Sequence, residues 1–193
     1  MWKHKAVIFA GGRSSRMGKD KALLPFGGYG TLAEYQYKRM LKLFGEVYIS
    51  AKNNKFDFDA TIIADIYTHS SPLVALVSSL RYTEASEIFV LSVDMPFVDE
   101  RLIARLYREY ERGSDIEVVV AKSSQGIEPL CGIYSSNITD RALHAIQKGN
   151  HKLKDLLAIC DTHEVSCDRD EMFVNLNTPN EYDRYTKEPT WNK

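Results

Sequence analysis

The residues best suited to chemistry lie in a loop near the start of the chain. Two adjacent glycines, Gly11 and Gly12, come directly after the apolar segment 5–10, and Arg16 and Lys21 follow them. Glycines after a buried strand let the backbone approach a ligand closely and turn its N–H groups inward. Arginine and lysine side chains then neutralise phosphate oxygens. The pattern therefore predicts an anion-binding loop, with phosphate as the expected ligand.

The charge distribution supports the same interpretation. Residues 1–21 hold six Lys or Arg and one Asp, so this segment carries +5 in a chain whose net charge is −1. The loop matches neither the dinucleotide motif G-x-G-x-x-G nor the P-loop G-x-x-x-x-G-K-[ST], because Gly18 is followed by Lys19 and Asp20. An exposed basic turn without a ligand is the alternative, and the buried strand in front of the loop favours a ligand.

One carboxylate, Asp94, is the candidate metal ligand. It follows the apolar segment 88–93, and Pro96 prevents that strand from continuing. Proteins hold Mg²⁺ with one or two carboxylates together with phosphate oxygens and water, so a single aspartate is sufficient. The alternative is an aspartate that caps a helix or forms a turn.

A regular alternation of strands and helices must position these residues. Helical spacing and capping residues predict helices from Thr31 to about residue 44, over 72–82, over 99–112, and from Thr178 to residue 185. Short apolar runs predict six buried strands, at residues 5–10, 46–50, 61–64, 88–93, 117–121 and 130–134. The alternation predicts an α/β fold with a mostly parallel central sheet, whose ligands bind beyond the carboxyl ends of the strands.

Composition and length limit the functional class. The chain has 193 residues, 44% of them hydrophobic, and its 25 Lys and Arg nearly balance 26 Asp and Glu. Such a chain has no overall field to attract nucleic acid, and no apolar run longer than five residues predicts a membrane span or a signal peptide. We expect a single domain over residues 1–193, with the last few residues disordered, in the cytoplasm. Three cysteines without C-x-x-C spacing predict neither disulfides nor a zinc site.

The early loop resembles the signature of the molybdenum cofactor guanylyltransferases, a group within the nucleotidyltransferases. Its residues are Phe9-Ala-Gly-Gly-Arg-Ser-Ser-Arg-Met-Gly-Lys-Asp-Lys-Ala-Leu-Leu24, and the signature is L-A-G-G-x-S-x-R-M-G-x-D-K, with Phe9 in place of the usual Leu. Shorter similarities are Asp94-Met-Pro-Phe97, Glu128-Pro-Leu130 and Val174-Asn-Leu-Asn-Thr-Pro179. The resemblance implies a three-layer Rossmann-like domain that uses GTP, Mg²⁺ and molybdopterin and produces molybdopterin guanine dinucleotide and pyrophosphate.

The same resemblance implies roles for individual residues. The implied catalytic residues are Arg16, Lys21 and Asp94, with Asp94 as the metal ligand. The implied acceptor-binding residues are Asn175 and Asn177, for which an Asx turn is the alternative. The implied nucleotide-binding residues are Phe9, Ala10, Gly11, Gly12, Lys21, Ser50, Asp65 and Asp94, with the N–H groups of residues 10–12 expected to face the base and ribose.

Two departures from the family pattern leave other functions open. Ser71-Pro-Leu-Val-Ala75 replaces the usual G-P-L-A-G, and Gly27-Gly-Tyr-Gly30 replaces a shorter turn. One alternative is cytidylyl or other nucleotidyl transfer to a molybdopterin or phosphosugar acceptor. The other is a non-catalytic nucleotide-binding partner protein, which the intact Lys21 and Asp94 disfavour. Expected partners are GTP, molybdopterin and other proteins of the molybdenum-cofactor pathway, and the sequence carries no signal for an oligomeric state.

Overall fold

The computed structural model describes residues 2–11, 20–176 and 179–187. These residues form seven strands in one sheet, with helices between them. The strands are β1 (Trp2–Phe9), β2 (Phe44–Ser50), β3 (Thr61–Ile63), β4 (Glu87–Ser92), β5 (Val118–Ser123), β6 (Gly126–Ser135) and β7 (Thr162–Ser166). The helices are α1 (Leu32–Leu41), α2 (Pro72–Thr83), α3 (Glu100–Tyr110), α4 (Thr139–Gln147), α5 (Leu153–Leu157) and α6 (Pro179–Lys187).

The sheet has the strand order β3-β2-β1-β4-β6-β5-β7. All its neighbouring pairs are parallel except the two that involve β6, which runs antiparallel to β4 and β5. Residues 124 and 125 join β5 to β6 in a hairpin, whereas the sequence predicted separate strands at 117–121 and 130–134. The predicted α/β fold with a mostly parallel sheet is confirmed.

Three elements escaped sequence-based prediction: β7, α4 and α5. Strand β7 lies at the edge of the sheet and reads Thr-His-Glu-Val-Ser, of which only Val165 is buried. An edge strand with one buried side chain gives no apolar run to detect. Helix α1 is also shorter than predicted, because Phe44 belongs to β2, where its ring stacks on Phe89 with centroids 5.3 Å apart.

The core lies on both faces of the sheet. One apolar cluster joins the sheet to α1 and α3, and Tyr182 and Tyr185 of α6 pack against it. The other joins the opposite face to α2, α4 and α5. Helices therefore cover both faces, as expected of a three-layer α/β domain. No helix of the described residues has the length and apolar character needed to cross a membrane.

Caps and a tight turn set the path between β1 and α1. Thr31 caps α1 by accepting a hydrogen bond from the Glu34 N–H at 3.0 Å, as predicted. The Glu34 carboxylate accepts from the N–H of Gly30 at 3.2 Å, one residue before the cap. Gly27 and Gly28 have φ of 59° and 83°, which glycine adopts without strain, so the segment predicted as a flexible hairpin is a tight turn closed between Phe26 and Tyr29.

Candidate active site

The carboxyl ends of β1, β2 and β4 meet at one edge of the sheet. Phe9 lies opposite Ser50 on one side and Ser92 on the other. The Ala10 N–H donates to the Ser50 carbonyl at 2.9 Å, and the Val93 N–H donates to the Phe9 carbonyl at 3.0 Å. The register of three parallel strands therefore brings together the loops that the sequence singled out.

Lys21 and Asp94 are in direct contact at this edge. The Lys21 ammonium donates to Asp94 Oδ2 at 2.5 Å, although 73 residues separate the two in sequence. The Ser92 hydroxyl donates to the other oxygen, Asp94 Oδ1, at 2.6 Å. Both charged side chains are largely buried, with 16% and 15% of their surface exposed. The early loop and the mid-chain aspartate thus converge on one place.

Two contacts position Lys21. Asp20 caps the short 3₁₀ turn Lys21–Leu23, and its Oδ1 accepts from the Ala22 N–H at 3.1 Å. Lys55, from the loop between β2 and β3, forms an ion pair with Asp20 and donates to the Ala10 carbonyl at 3.1 Å. Lys55 therefore ties the start of the glycine-containing loop to its end. Sequence reasoning missed Lys55, because a lysine in a polar loop shows no periodic pattern.

An open cleft of about 540 Å³ lies beside this pair. Phe9, Gly11, Ser50 and Asp65 of the predicted nucleotide-binding residues line it, together with Ser92, Leu130 and the beginning of α2. Asp65 is half-buried and accepts a hydrogen bond from the Ser70 hydroxyl. The cleft is therefore bounded by a carboxylate on one side and by the Lys21–Asp94 region on the other.

The departure at Ser71 has a structural explanation. Ser71 is the N-cap of α2, and its hydroxyl accepts from the Val74 N–H at 3.2 Å while contacting Nδ1 of His151 at 3.3 Å. Pro72 occupies the first turn, where its missing N–H costs nothing. The serine thus replaces a flexible glycine with a capped helix start at the wall of the cleft.

The amide expectation for Ala10 needs correction. Its N–H donates to Ser50 within the sheet and its carbonyl accepts from Lys55, so the amide does not face a ligand. Gly11 is exposed and lines the cleft, and its N–H has no hydrogen-bond partner among the described residues. The predicted residues Gly12, Arg16 and Asn177 lie outside the described residues.

Asn175 and Glu128 lie on the side of Asp94 away from α2. Asn175 is half-buried and precedes Leu176, whose N–H donates to the Asp94 carbonyl at 3.3 Å. The Glu128 carboxylate accepts from the Ser123 hydroxyl at 2.8 Å. Burial raises the pKa of Glu128, and the negative charges of Asp170 and Asp94 raise it further, while Ser123 and Lys154 oppose the shift. Sequence reasoning noted Glu128 only within a short family motif.

Sequence reasoning also missed Gln36 of α1, which is fully buried below the Asp94 loop. Its side-chain amide donates to the Met95 carbonyl at 3.0 Å. The available signal was a polar residue on the helix stripe otherwise formed by Leu32, Ala33 and Met40.

The donor chemistry of the site is compatible with Mg²⁺. In the described part of the chain, no group of three or more His, Cys, Asp or Glu side chains could hold a metal ion by itself. A lone Asp94 carboxylate supplies hard oxygen atoms, which suits a cation that is bound chiefly through phosphate oxygens and water.

Comparison with known proteins identifies the family. The family model described as the MobA-like NTP transferase domain matches residues 6–183. This chain belongs to that family. Among MobA-like relatives, the molybdenum cofactor guanylyltransferase of Campylobacter jejuni subsp. doylei is 33% identical over 184 residues, which cover 94% of this chain and 95% of the relative. The enzyme of the same name from Helicobacter pylori is 31% identical over 186 residues, covering 92% and 89%.

A solved structure shows the same MobA-like fold. Molybdopterin-guanine dinucleotide biosynthesis protein A from Archaeoglobus fulgidus superposes with a TM-score of 0.82 and 21% sequence identity, covering 95% of this chain and 97% of that one. The similarity extends over nearly the whole chain, so it includes the edge of the sheet where Lys21 meets Asp94. The resemblance drawn from the early loop is confirmed at the level of family and fold.

Proposed function

We propose that this chain transfers GMP from GTP to the phosphate of molybdopterin, with or without molybdenum, and so forms molybdopterin guanine dinucleotide and pyrophosphate. The contact between Lys21 and Asp94 at the mouth of the cleft carries the proposal. It places a cation for phosphates and a carboxylate for a metal ion side by side. The names of the Campylobacter and Helicobacter relatives support the choice of GTP and of molybdopterin.

The nucleotide would occupy the cleft between β1, β2 and α2. Asp65 can only accept hydrogen bonds when it is ionised, so it suits ribose hydroxyls or the N–H edge of guanine. Ser50 and Gly11 line the same wall. The triphosphate would then extend towards Lys21, whose ammonium offsets part of its negative charge.

The reaction needs no nucleophile from the protein. An oxygen of the acceptor phosphate forms a bond to the α-phosphorus of GTP, and the bond from that phosphorus to the bridging oxygen of the β-phosphate breaks. Pyrophosphate leaves with the electron pair. Lys21 offsets the charge that develops on the phosphates, and Asn175 would orient the acceptor with its neutral amide. Catalysis then rests on positioning and electrostatic stabilisation.

Asp94 would hold the divalent cation, whose role when bound is to neutralise charge on the triphosphate. The Ser92 hydroxyl donates to Asp94 Oδ1 and so restrains the orientation of the carboxylate. Lys21 contacts the other oxygen, so both oxygens of the carboxylate are restrained before a nucleotide binds.

Substitution of the two charged residues tests the proposal. We expect Asp94→Asn and Lys21→Met each to lower pyrophosphate release from GTP and molybdopterin by about 10²–10³-fold or more, because each removes charge stabilisation at the reacting phosphates. Glu109→Gln and Arg112→Met are the matched controls, since they remove the members of a surface ion pair of 2.8 Å on α3. Near-normal turnover of either site variant in Mg²⁺ would contradict the role given to that residue.

A nucleotide panel separates the alternatives. Pyrophosphate release is measured in parallel with GTP, CTP, ATP and UTP, and we expect GTP to be preferred. Preference for CTP would indicate cytidylyl transfer. A rise in melting temperature with GTP and Mg²⁺, without pyrophosphate release at saturating acceptor, would indicate a binding protein.

A further inference from the structure

We infer that Gln36, oriented by Arg39, is a positioning residue that holds the Asp94 loop in the geometry required for nucleotidyl transfer. The inference deepens the proposed function and rests on it, because Gln36 would act only through Asp94. No feature of the early loop or of the acidic motif points to α1, so the role comes from the three-dimensional contacts alone.

The Gln36 amide contacts the loop on both sides of Asp94. Its Nε2 donates to the Met95 carbonyl at 3.0 Å and lies 3.4 Å from the carbonyls of Ser92 and Val93. These three carbonyls belong to the two residues before the aspartate and the one after it. The side chain is fully buried, so water does not compete for these bonds.

Arg39 determines which way the amide points. Its Nε and Nη2 donate to Gln36 Oε1 at 3.1 and 2.6 Å, and its Nη1 donates to the Val98 carbonyl. A guanidinium can only donate and a backbone carbonyl can only accept. A flipped amide would therefore face Arg39 with its N–H₂ group and the carbonyls with its oxygen, and every contact would be lost. The network fixes one orientation of Gln36.

General stability does not account for this network. Leu32, Ala33 and Met40 fill the other buried positions of α1 with apolar side chains. Burial lowers the pKa of the Arg39 guanidinium, because the charged form is desolvated, and its printed hydrogen-bond acceptors are neutral oxygens. Burying a polar or charged group costs free energy that an apolar side chain avoids. The polar pair lies where the Asp94 loop offers carbonyls.

Restraining the loop matters because Asp94 carries the proposed chemistry. The aspartate has to keep its carboxylate in register with Lys21, and a displacement of about 1 Å in a reacting group can lower turnover by about 10²-fold. The nucleotide-binding wall is built separately by β1, β2 and α2. Loosening the loop should therefore affect the chemical step more than nucleotide binding.

Two substitutions of Gln36 and one control test the inference. Gln36→Met keeps the volume but removes both donor and acceptor. Gln36→Glu keeps an acceptor for Arg39, which protects folding, but replaces the donor that faces the carbonyls. Met40→Ala, one turn along the same buried stripe, is the control, because it weakens packing of α1 without touching the loop. Turnover is measured at a temperature where all four proteins are folded.

We expect both Gln36 variants to lower kcat by about 10–100-fold while KM for GTP changes by less than about threefold. The Mg²⁺ concentration for half-maximal turnover should also rise. Met40→Ala should keep kcat within about twofold of wild type. Unchanged kcat in the Gln36 variants, or an equal loss in Met40→Ala, would overturn the inference.

Amide hydrogen exchange gives a readout that does not depend on activity. The N–H groups of Val93 and Met95 are hydrogen-bonded to Phe9 and Ser92. They should exchange about tenfold faster in the Gln36 variants than in Met40→Ala. If wild type releases no pyrophosphate from GTP, the proposed function fails, and exchange then decides the positioning role alone. Equal exchange in the Gln36 variants and the control would overturn it.

Discussion

One face of the sheet buries two polar side chains, at opposite ends, and satisfies them differently. Gln36 lies below the carboxyl ends of the strands, where its amide contacts three carbonyls and its oxygen accepts twice from Arg39. Tyr107 of α3 lies near the amino ends, stacked on His4 with centroids 4.3 Å apart. Its hydroxyl is buried and has no hydrogen-bond partner among the described residues.

The difference indicates where the fold requires a fixed geometry. An unsatisfied buried hydroxyl costs free energy but is tolerated where no loop has to be held. Burial raises the pKa of Tyr107, so the phenol stays neutral. At the carboxyl ends, by contrast, the buried polar groups restrain the loop that carries Asp94.

The largest expected effect concerns Lys55, at the site end. Lys55→Met releases both ends of the glycine-containing loop, so we expect KM for GTP to rise about tenfold, equivalent to about 1.4 kcal/mol. The stability should change little, because the Lys55–Asp20 pair is partly exposed. Steady-state kinetics and thermal melts measure the two effects.

Lys5→Met is the matched control at the other end of the sheet. Lys5 likewise contacts a carbonyl, that of Thr83 at 2.9 Å, and a carboxylate, that of Glu46 at 3.5 Å. It should leave KM for GTP unchanged. Equal changes in KM for the two variants would remove the functional distinction between the two ends.

The next effect is a gain in stability. Tyr107→Phe removes the buried hydroxyl and keeps the ring, so we expect the free energy of unfolding to rise by about 1 kcal/mol and the melting temperature by about 2–4 °C. Turnover should not change. A lower melting temperature would mean that the hydroxyl is hydrogen-bonded in solution, and the comparison with Gln36 would fail.

The smallest effect concerns Glu128 and depends on pH. Because its pKa is raised in the folded protein, the folded state binds more protons than the unfolded state between the ordinary carboxyl value of 4.5 and the raised one. Its contribution to stability is therefore lost as pH rises through this window. Glu128→Gln should melt on the order of 1 °C higher than wild type at pH 7 and equally at pH 4. An equal difference at both pH values would contradict the assignment.

Much of the site could be predicted from sequence, because its residues follow strands that end abruptly. Phe9, Ser50 and Asp94 each come at or just after the end of an apolar run, and parallel strands bring such ends together. Lys55 and Gln36 could not be predicted in their roles, because their partners are distant in sequence. Ala10 was given an amide role that the sheet already uses. The roles of Gly12, Arg16 and Asn177 stay predictions.

The contact between Lys21 and Asp94 makes each charge the counter-ion of the other. A triphosphate that draws Lys21 to itself leaves the carboxylate uncompensated, and a divalent cation that binds Asp94 alone leaves the ammonium uncompensated. In a largely buried pair, either half-step carries an electrostatic penalty. Nucleotide and cation should therefore each increase the protein's affinity for the other, by the same factor.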